Sequence, residues 1–217
     1  MTINMDFARP TAEQLEKLAI FPTPTLHEAL GQSGAAPYFI KPIYQGMKVC
    51  GAALTIDCPP HDNLSIHAAA AQAEEGDVLV VDYKGFVESG PFGDVLGTAC
   101  QARGIKGLVI DGCVRDGEQL RDMNFPVFSR GLSMKGASKT RMGHVGVPIL
   151  FAGVPVEPGD AVVGDDDGVV FIPRERIDAV IADAQAREDK EAAMREKLRG
   201  GATTLDLLDL HRYIEAK

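Results

Sequence analysis

In the segment FGDVLGTACQARGIKGLVIDGCVRD, Asp94 stands where a glycine loop turns into a helix, and Arg115-Asp116 follows twenty intervening residues later, just behind an apolar strand. A helix start leaves the N–H groups of Gly93, Asp94, Val95 and Leu96 without internal partners, which makes a ready site for a carboxylate. Arg115 adds a planar fork of donors. Asp116, beside Asp94, supplies hard oxygen ligands of the kind that hold Mg²⁺ or Mn²⁺ while leaving coordination positions for waters and substrate. Both pairs fall at the carboxyl ends of strands, where α/β sheets bind ligands. The same residues also suit helix N-caps, with Arg115 as an exposed partner, and spacing alone does not choose.

The elements that must position these residues read as an alternating pattern. Residues 47–57, 77–83, 107–111 and 126–129 are apolar or β-branched and read as strands. Between them, residues 62–73, 94–103 and a short stretch from Arg115 or Asp116 to Met123 read as helices, with Gly76 and Gly104 as stop signals. Two capping boxes open the chain, Thr11 with Gln14 and Thr25 with Glu28. The stretch GHVGVPILFAGVPVEPGDAVVGDDDGVVFIP reads as short strands of an antiparallel sheet or partial barrel, forming a second layer. Pro173 and Gly200-Gly201 bracket a charged helix over residues 174–199, too long for a domain this small to cover, so part of it is expected on a neighbouring subunit. No repeat or linker interrupts residues 1–217, which read as one α/β domain with N-terminal helices over 1–35 and C-terminal helices over 174–217.

Composition narrows the partners. Against 22 Lys and Arg stand 31 Asp and Glu, a net charge of -9, the wrong sign for binding a nucleic-acid backbone. An anionic small molecule would need local positive charge, which Arg115, a helix start and a cation can supply. No apolar run approaches the length of a membrane span. The start MTINMDFARP lacks a secretory pattern and the four cysteines lack CxxC spacing, so a cytoplasmic protein with free thiols is expected.

Other candidates read more simply. Lys84 is expected to be an exposed loop lysine rather than a Schiff-base amine, and Cys113 a packing residue rather than a nucleophile. The five histidines show no HxH or HExxH, and His67 reads as packed or bonded within its own helix. His61-Asp62-Asn63 reads as a helix cap, and Asp165-Asp166-Asp167-Gly168 as a hairpin turn rather than a calcium loop.

The Asp-x20-Arg-Asp pattern of Asp94, Arg115 and Asp116, with the phrases QARGIKGLVIDG, MNFPVFS, GDDDGVV and QAREDKEAA, resembles the class II pyruvate aldolases acting on 4-hydroxy-4-methyl-2-oxoglutarate and 4-carboxy-4-hydroxy-2-oxoadipate. That family shares its fold with the regulator of ribonuclease activity A, and the likeness spans residues 22–200. It implies a three-layer β/β/α swivelling-type domain, a homotrimer or dimer of trimers, and active sites between subunits. By the same likeness Asp116 holds a divalent cation, Mg²⁺ or Mn²⁺, and Arg115 contacts the keto oxygen of a 2-oxo acid. Asp94 orders water at the metal, the amides of Gly93, Asp94, Val95 and Leu96 hold the pyruvate carboxylate, and Glu191 reaches the site from the adjacent subunit through water. The implied activity is retro-aldol cleavage to pyruvate plus pyruvate or oxaloacetate, with oxaloacetate decarboxylation on the side. The alternative is a non-catalytic protein-binding regulator of ribonuclease activity on the same fold, a branch that lacks the carboxylate after the arginine.

Overall fold

A computed structural model of the chain describes residues 1–214. Its first helix, α1 (Ala12–Ala19), begins as the sequence predicts: Thr11 Oγ1 accepts the Gln14 N–H, and the Thr11 N–H donates to Gln14 Oε1. The second expected capping box does not form. Helix α2 spans Thr23–Ala29, so Thr25 lies inside it, and its hydroxyl donates to Glu188 at 2.9 Å. Pro24 fits the first turn because no partner is needed for the N–H it lacks. The Thr23 N–H and hydroxyl both donate to the Asp165 carboxylate, so a side chain 142 residues away does the work that local spacing assigned to Thr25.

Four parallel strands carry the site. They are β1 (Val49–Asp57), β2 (Asp77–Asp82), β3 (Gly107–Ile110) and β4 (Val127–Ser129), paired side by side in that order. The links between them hold helices α3 (Leu64–Gln72), α4 (Asp94–Ala102) and α5 (Gly117–Asp122). Every residue of β2 and β3 is buried, as expected of strands covered on both faces. Successive side chains alternate between two cores: Leu54, Leu79, Val81, Leu108 and Ile110 pack with the α3–α5 layer, whereas Ala53, Val78, Val80 and Val109 pack with Phe128, Phe151 and Phe171 on the other side.

That second side is closed by short strands, as the glycine- and proline-broken stretch predicts. β5 (Ala161–Asp165) pairs antiparallel with both β1 and β6 (Gly168–Ile172), and a separate hairpin, Ile149–Phe151 with Val154–Val156, adds to the cover. Asp165 pairs with Gly168 across the turn and accepts the Asp167 N–H at 3.0 Å, which makes this acidic run the predicted hairpin turn. The result is the expected three-layer β/β/α arrangement. A third core, with Leu18, Leu26, Val163 and Val180, fastens α1, α2 and the long helix α6 (Ile177–Arg199) to the outer face of the β5–β6 hairpin.

A 3₁₀ turn, Arg174–Arg176, leads into α6, which buries only Ile177, Val180 and Ala184. Short helices at Thr204–Leu207 and His211–Ile214 follow, and residues 215–217 of the expected C-terminal helical segment lie outside the described residues. Among the described residues no helix is long and apolar enough to cross a membrane.

Candidate active site at the ends of the parallel strands

The chain leaves β2, crosses a glycine-containing loop and enters α4 at Asp94, with Gly93 extended at φ -153° as the cap. After β3 it passes through Cys113-Val114 to Arg115 and Asp116. The Arg115 N–H donates to Phe92 O at 2.9 Å, stitching the two loops together. Asp116 lies in the left-handed region at φ 56°, one of the less costly places for an aspartate among non-glycine residues. Its Oδ2 is 3.2 Å from Arg115 Nε and 3.4 Å from the Asp94 N–H. A Cβ on Gly93 would fall 2.2 Å from that same Oδ2, so the bare glycine is what lets the carboxylate lie against the start of α4.

This geometry speaks against the helix-cap reading that spacing left open. Asp116 occupies the N-cap position of α5 yet makes no side-chain capping bond, and Asp94 is the first residue of α4 rather than its cap. Asp94 Oδ1 instead accepts its neighbour's Val95 N–H at 2.8 Å. The side chains of Arg115 and Asp116 stay 43% and 32% exposed, open to a ligand.

Asp94, Arg115 and Asp116 line a cavity of about 230 Å³ together with Gly93, Val95 and Leu96. Sequence reasoning did not assign three further polar members to the site: Asn63, His67 and Lys139. Asn63 Nδ2 donates to Pro91 O at 2.7 Å, which fixes the amide and leaves Oδ1 buried without a partner; His67 Nε2 is likewise buried and unpartnered. Of the two roles read for His67, packing or bonding within its helix, the buried, unpartnered Nε2 fits packing. The available signal was the four-residue spacing of Asn63 and His67, which puts both on one face of α3. Burial holds the His67 pKa below its ordinary value, and the nearby Lys139 charge lowers it further.

Other sequence candidates fall outside this constellation. Lys84 pairs with Asp82 at 2.5 Å and Asp57 at 2.7 Å. Burial opposes its charge, but these carboxylates outweigh burial and raise its pKa, the opposite of what a Schiff-base amine needs. Cys113 is buried, and burial raises its thiol pKa, as for a packing residue. Glu191 pairs with Arg187 and Arg195 on α6 and is not among the residues lining the cavity within one chain.

Among the described residues no group of three His, Cys, Asp or Glu forms a ready-made cation cage. The oxygen donors that line the cavity are instead the carboxylates of Asp116 and Asp94, both hard ligands. They fit an ion such as Mg²⁺ or Mn²⁺, which is held by one or two carboxylates and keeps several waters.

A family model described as RraA-like, Aldolase/RraA, matches residues 23–171. The chain belongs to the Aldolase/RraA family. It is 39% identical over 195 residues, 89% of this chain and 90% of the relative, to a protein of Halalkalibacterium halodurans named "Putative 4-hydroxy-4-methyl-2-oxoglutarate aldolase". A Deinococcus radiodurans protein of the same name is 31% identical over 71% of this chain and 96% of its own length. Among solved structures, an uncharacterized protein from Pseudomonas syringae pv. tomato superposes with a TM-score of 0.83 at 29% identity, covering 94% of this chain and 96% of that one. Streptomyces coelicolor RraAS2, described as an unusual member of the RNase ES inhibitor RraA family, gives 0.80 at 28% identity, covering 87% of this chain and 98% of that one. These neighbours share the Aldolase/RraA fold described above, long C-terminal helix included.

Proposed function

We propose that this pocket is the active site of a divalent-metal-dependent aldolase that cleaves 4-hydroxy-4-methyl-2-oxoglutarate or 4-carboxy-4-hydroxy-2-oxoadipate to pyruvate plus pyruvate or oxaloacetate, with oxaloacetate decarboxylation as a side activity. The observation that carries the reading is the convergence of the Asp116 carboxylate, the Arg115 guanidinium and the start of α4 across a glycine that must lack a side chain.

Each part has a chemical task. The amides of Gly93, Asp94, Val95 and Leu96 bind the carboxylate of the pyruvoyl half, where the helix dipole favours negative charge, with the Asp94 and Val95 N–H groups exchanging the aspartate oxygens they meet in the free chain for the substrate. Arg115 donates to the 2-keto oxygen, on which charge grows as the C3–C4 bond breaks and its electron pair passes into the enolate. Asp116 would hold the Mg²⁺ or Mn²⁺, with Asp94 and Glu191 of an adjacent subunit acting through water. When bound, that cation supplies Lewis-acid stabilisation of the same developing charge. Asp94 orders the water that takes the proton from the C4 hydroxyl. Loss of CO₂ from oxaloacetate also breaks a C3–C4 bond and passes its electron pair into the same pyruvate enolate, which is then protonated at C3, so oxaloacetate belongs to the substrate list.

The sparsely covered outer half of α6, on which no residue beyond Ala184 is buried, supports a homotrimer or dimer of trimers in which Glu191 meets a neighbour's site. The regulator reading rests on the description of RraAS2 and would present the same surface to a protein partner. A carboxylate directly after Arg115 favours the enzyme. The deciding experiment follows pyruvate release from both aldol substrates and from oxaloacetate: the aldolase reading requires release from at least one aldol substrate, and the regulator reading predicts none from any.

A further inference from the structure

We infer that Asp62 is a positioning residue of this pocket, a buried carboxylate that staples the 133–143 loop to the start of α3 so that Lys139 on the loop and Asn63 and His67 on the helix face one cavity. The inference rests on the aldolase reading for its substrate arm. Asp62 has no exposed surface and forms no ion pair with a Lys or Arg among the described residues, so its charge is satisfied by hydrogen bonds. Its Oδ2 accepts from Ser138 Oγ at 2.6 Å, the Thr140 N–H at 2.8 Å, the Arg141 N–H at 3.0 Å and Thr140 Oγ1 at 3.3 Å. Its Oδ1 accepts the Leu64 N–H at 2.9 Å, within the first turn of α3.

One side chain thus holds both walls. The loop has no helix or strand between Leu132 and His144 to place it, so its course depends on such cross-links. Backbone bonds run in parallel with the staple: the Asn63 N–H to Ser138 O and the Ser138 N–H to His61 O, both at 2.9 Å. Gly143 N–H to Ser65 Oγ at 2.8 Å closes the far end. A buried charge is a costly device where only stability is at stake, since apolar packing serves as well. Here it gathers donors from three loop residues, Ser138, Thr140 and Arg141, a task that needs a carboxylate's acceptor capacity. The walls built from α4 and Arg115-Asp116 meet the pyruvoyl half. The stapled walls meet the portion beyond C3, where Lys139 matches the additional carboxylate of these substrates.

Asp62→Asn tests this, because the amide keeps the shape but turns one oxygen into a donor facing Ser138, Thr140 and Arg141. Hydrogen exchange of the 138–143 amides should accelerate by about tenfold or more while the β2 amides are unchanged. The KM for 4-hydroxy-4-methyl-2-oxoglutarate should rise about tenfold with kcat within about threefold, and inhibition by pyruvate should keep its constant within about twofold. Unchanged loop exchange, or KM and the pyruvate constant rising together, overturns the inference, as does a kcat loss at unchanged KM. If Asp62→Asn does not fold, Ser138→Ala removes the 2.6 Å donor and must shift exchange and KM in the same directions; no shift is fatal. The exchange arm is read without substrate, so a wild-type protein that released no pyruvate would sink the aldolase reading while leaving the staple to be judged by exchange.

Discussion

Asp116 concentrates the account in one side chain, because a left-handed backbone, a bare glycine opposite and an arginine beside it all serve its carboxylate. Asn tolerates the same backbone region, so Asp116→Asn should fold normally while losing turnover by at least about 100-fold, which steady-state kinetics on protein with a wild-type melting curve would check. Arg115→Ala should cost about 100–1000-fold in kcat, or about 3–4 kcal/mol, with little effect on stability because the side chain is half-exposed. His67 gives a pH prediction. Its native pKa is depressed below its ordinary value, so the unfolded chain takes up the proton first and stability falls as pH drops below about 6.5. Denaturant midpoints between about pH 5 and 7 should show this slope in the wild type, and His67→Gln should flatten it. The Asp94, Arg115 and Asp116 constellation was legible in the sequence because each pair adjoins a strand end and a helix start. His67 and Asn63 were not, because an ordinary packing role was open to His67 and a helix-cap role to Asn63, and only the fold shows that a polar atom of each goes unpaired. Lys139 was hidden more deeply, since its place depends on Asp62, 77 residues earlier in the chain.

At the scale of elements, the strand reading succeeded where burial on both faces leaves a continuous apolar run, as in Asp77–Asp82 and Gly107–Ile110. The capping-box reading failed at α2, where the Asp165 carboxylate from the β5–β6 turn, rather than the threonine that local spacing nominated, meets the helix start. Local signals locate a helix start to within a residue or two, but a tertiary partner can move it. The start of α4 supplies a sharper test. A methyl group on Gly93 must push aside Asp116 Oδ2 or the Arg115 side chain, whose Cγ would be 3.1 Å away. Gly93→Ala should therefore cost about 1–3 kcal/mol of stability, read from chemical denaturation, and lower kcat/KM more than it lowers stability.

For the whole molecule, the net charge of -9 repels the very anions the pocket is proposed to bind, and Arg115, Lys139 and the start of α4 supply the local opposite sign. Nothing in a single chain's cavity uses Glu191, whose partners are Arg187 and Arg195 on its own helix. Shared sites predict that mixing inactive Glu191→Ala and Asp116→Ala chains restores part of the activity in verified mixed oligomers, whereas self-contained sites predict no recovery. The central claim is that this pocket breaks a carbon–carbon bond with a divalent cation's help. Its most direct test is pyruvate release from 4-hydroxy-4-methyl-2-oxoglutarate and 4-carboxy-4-hydroxy-2-oxoadipate by chelator-stripped protein, before and after adding Mg²⁺ or Mn²⁺. The account predicts negligible release from the stripped protein and recovery on adding metal; equal turnover with and without metal would contradict it.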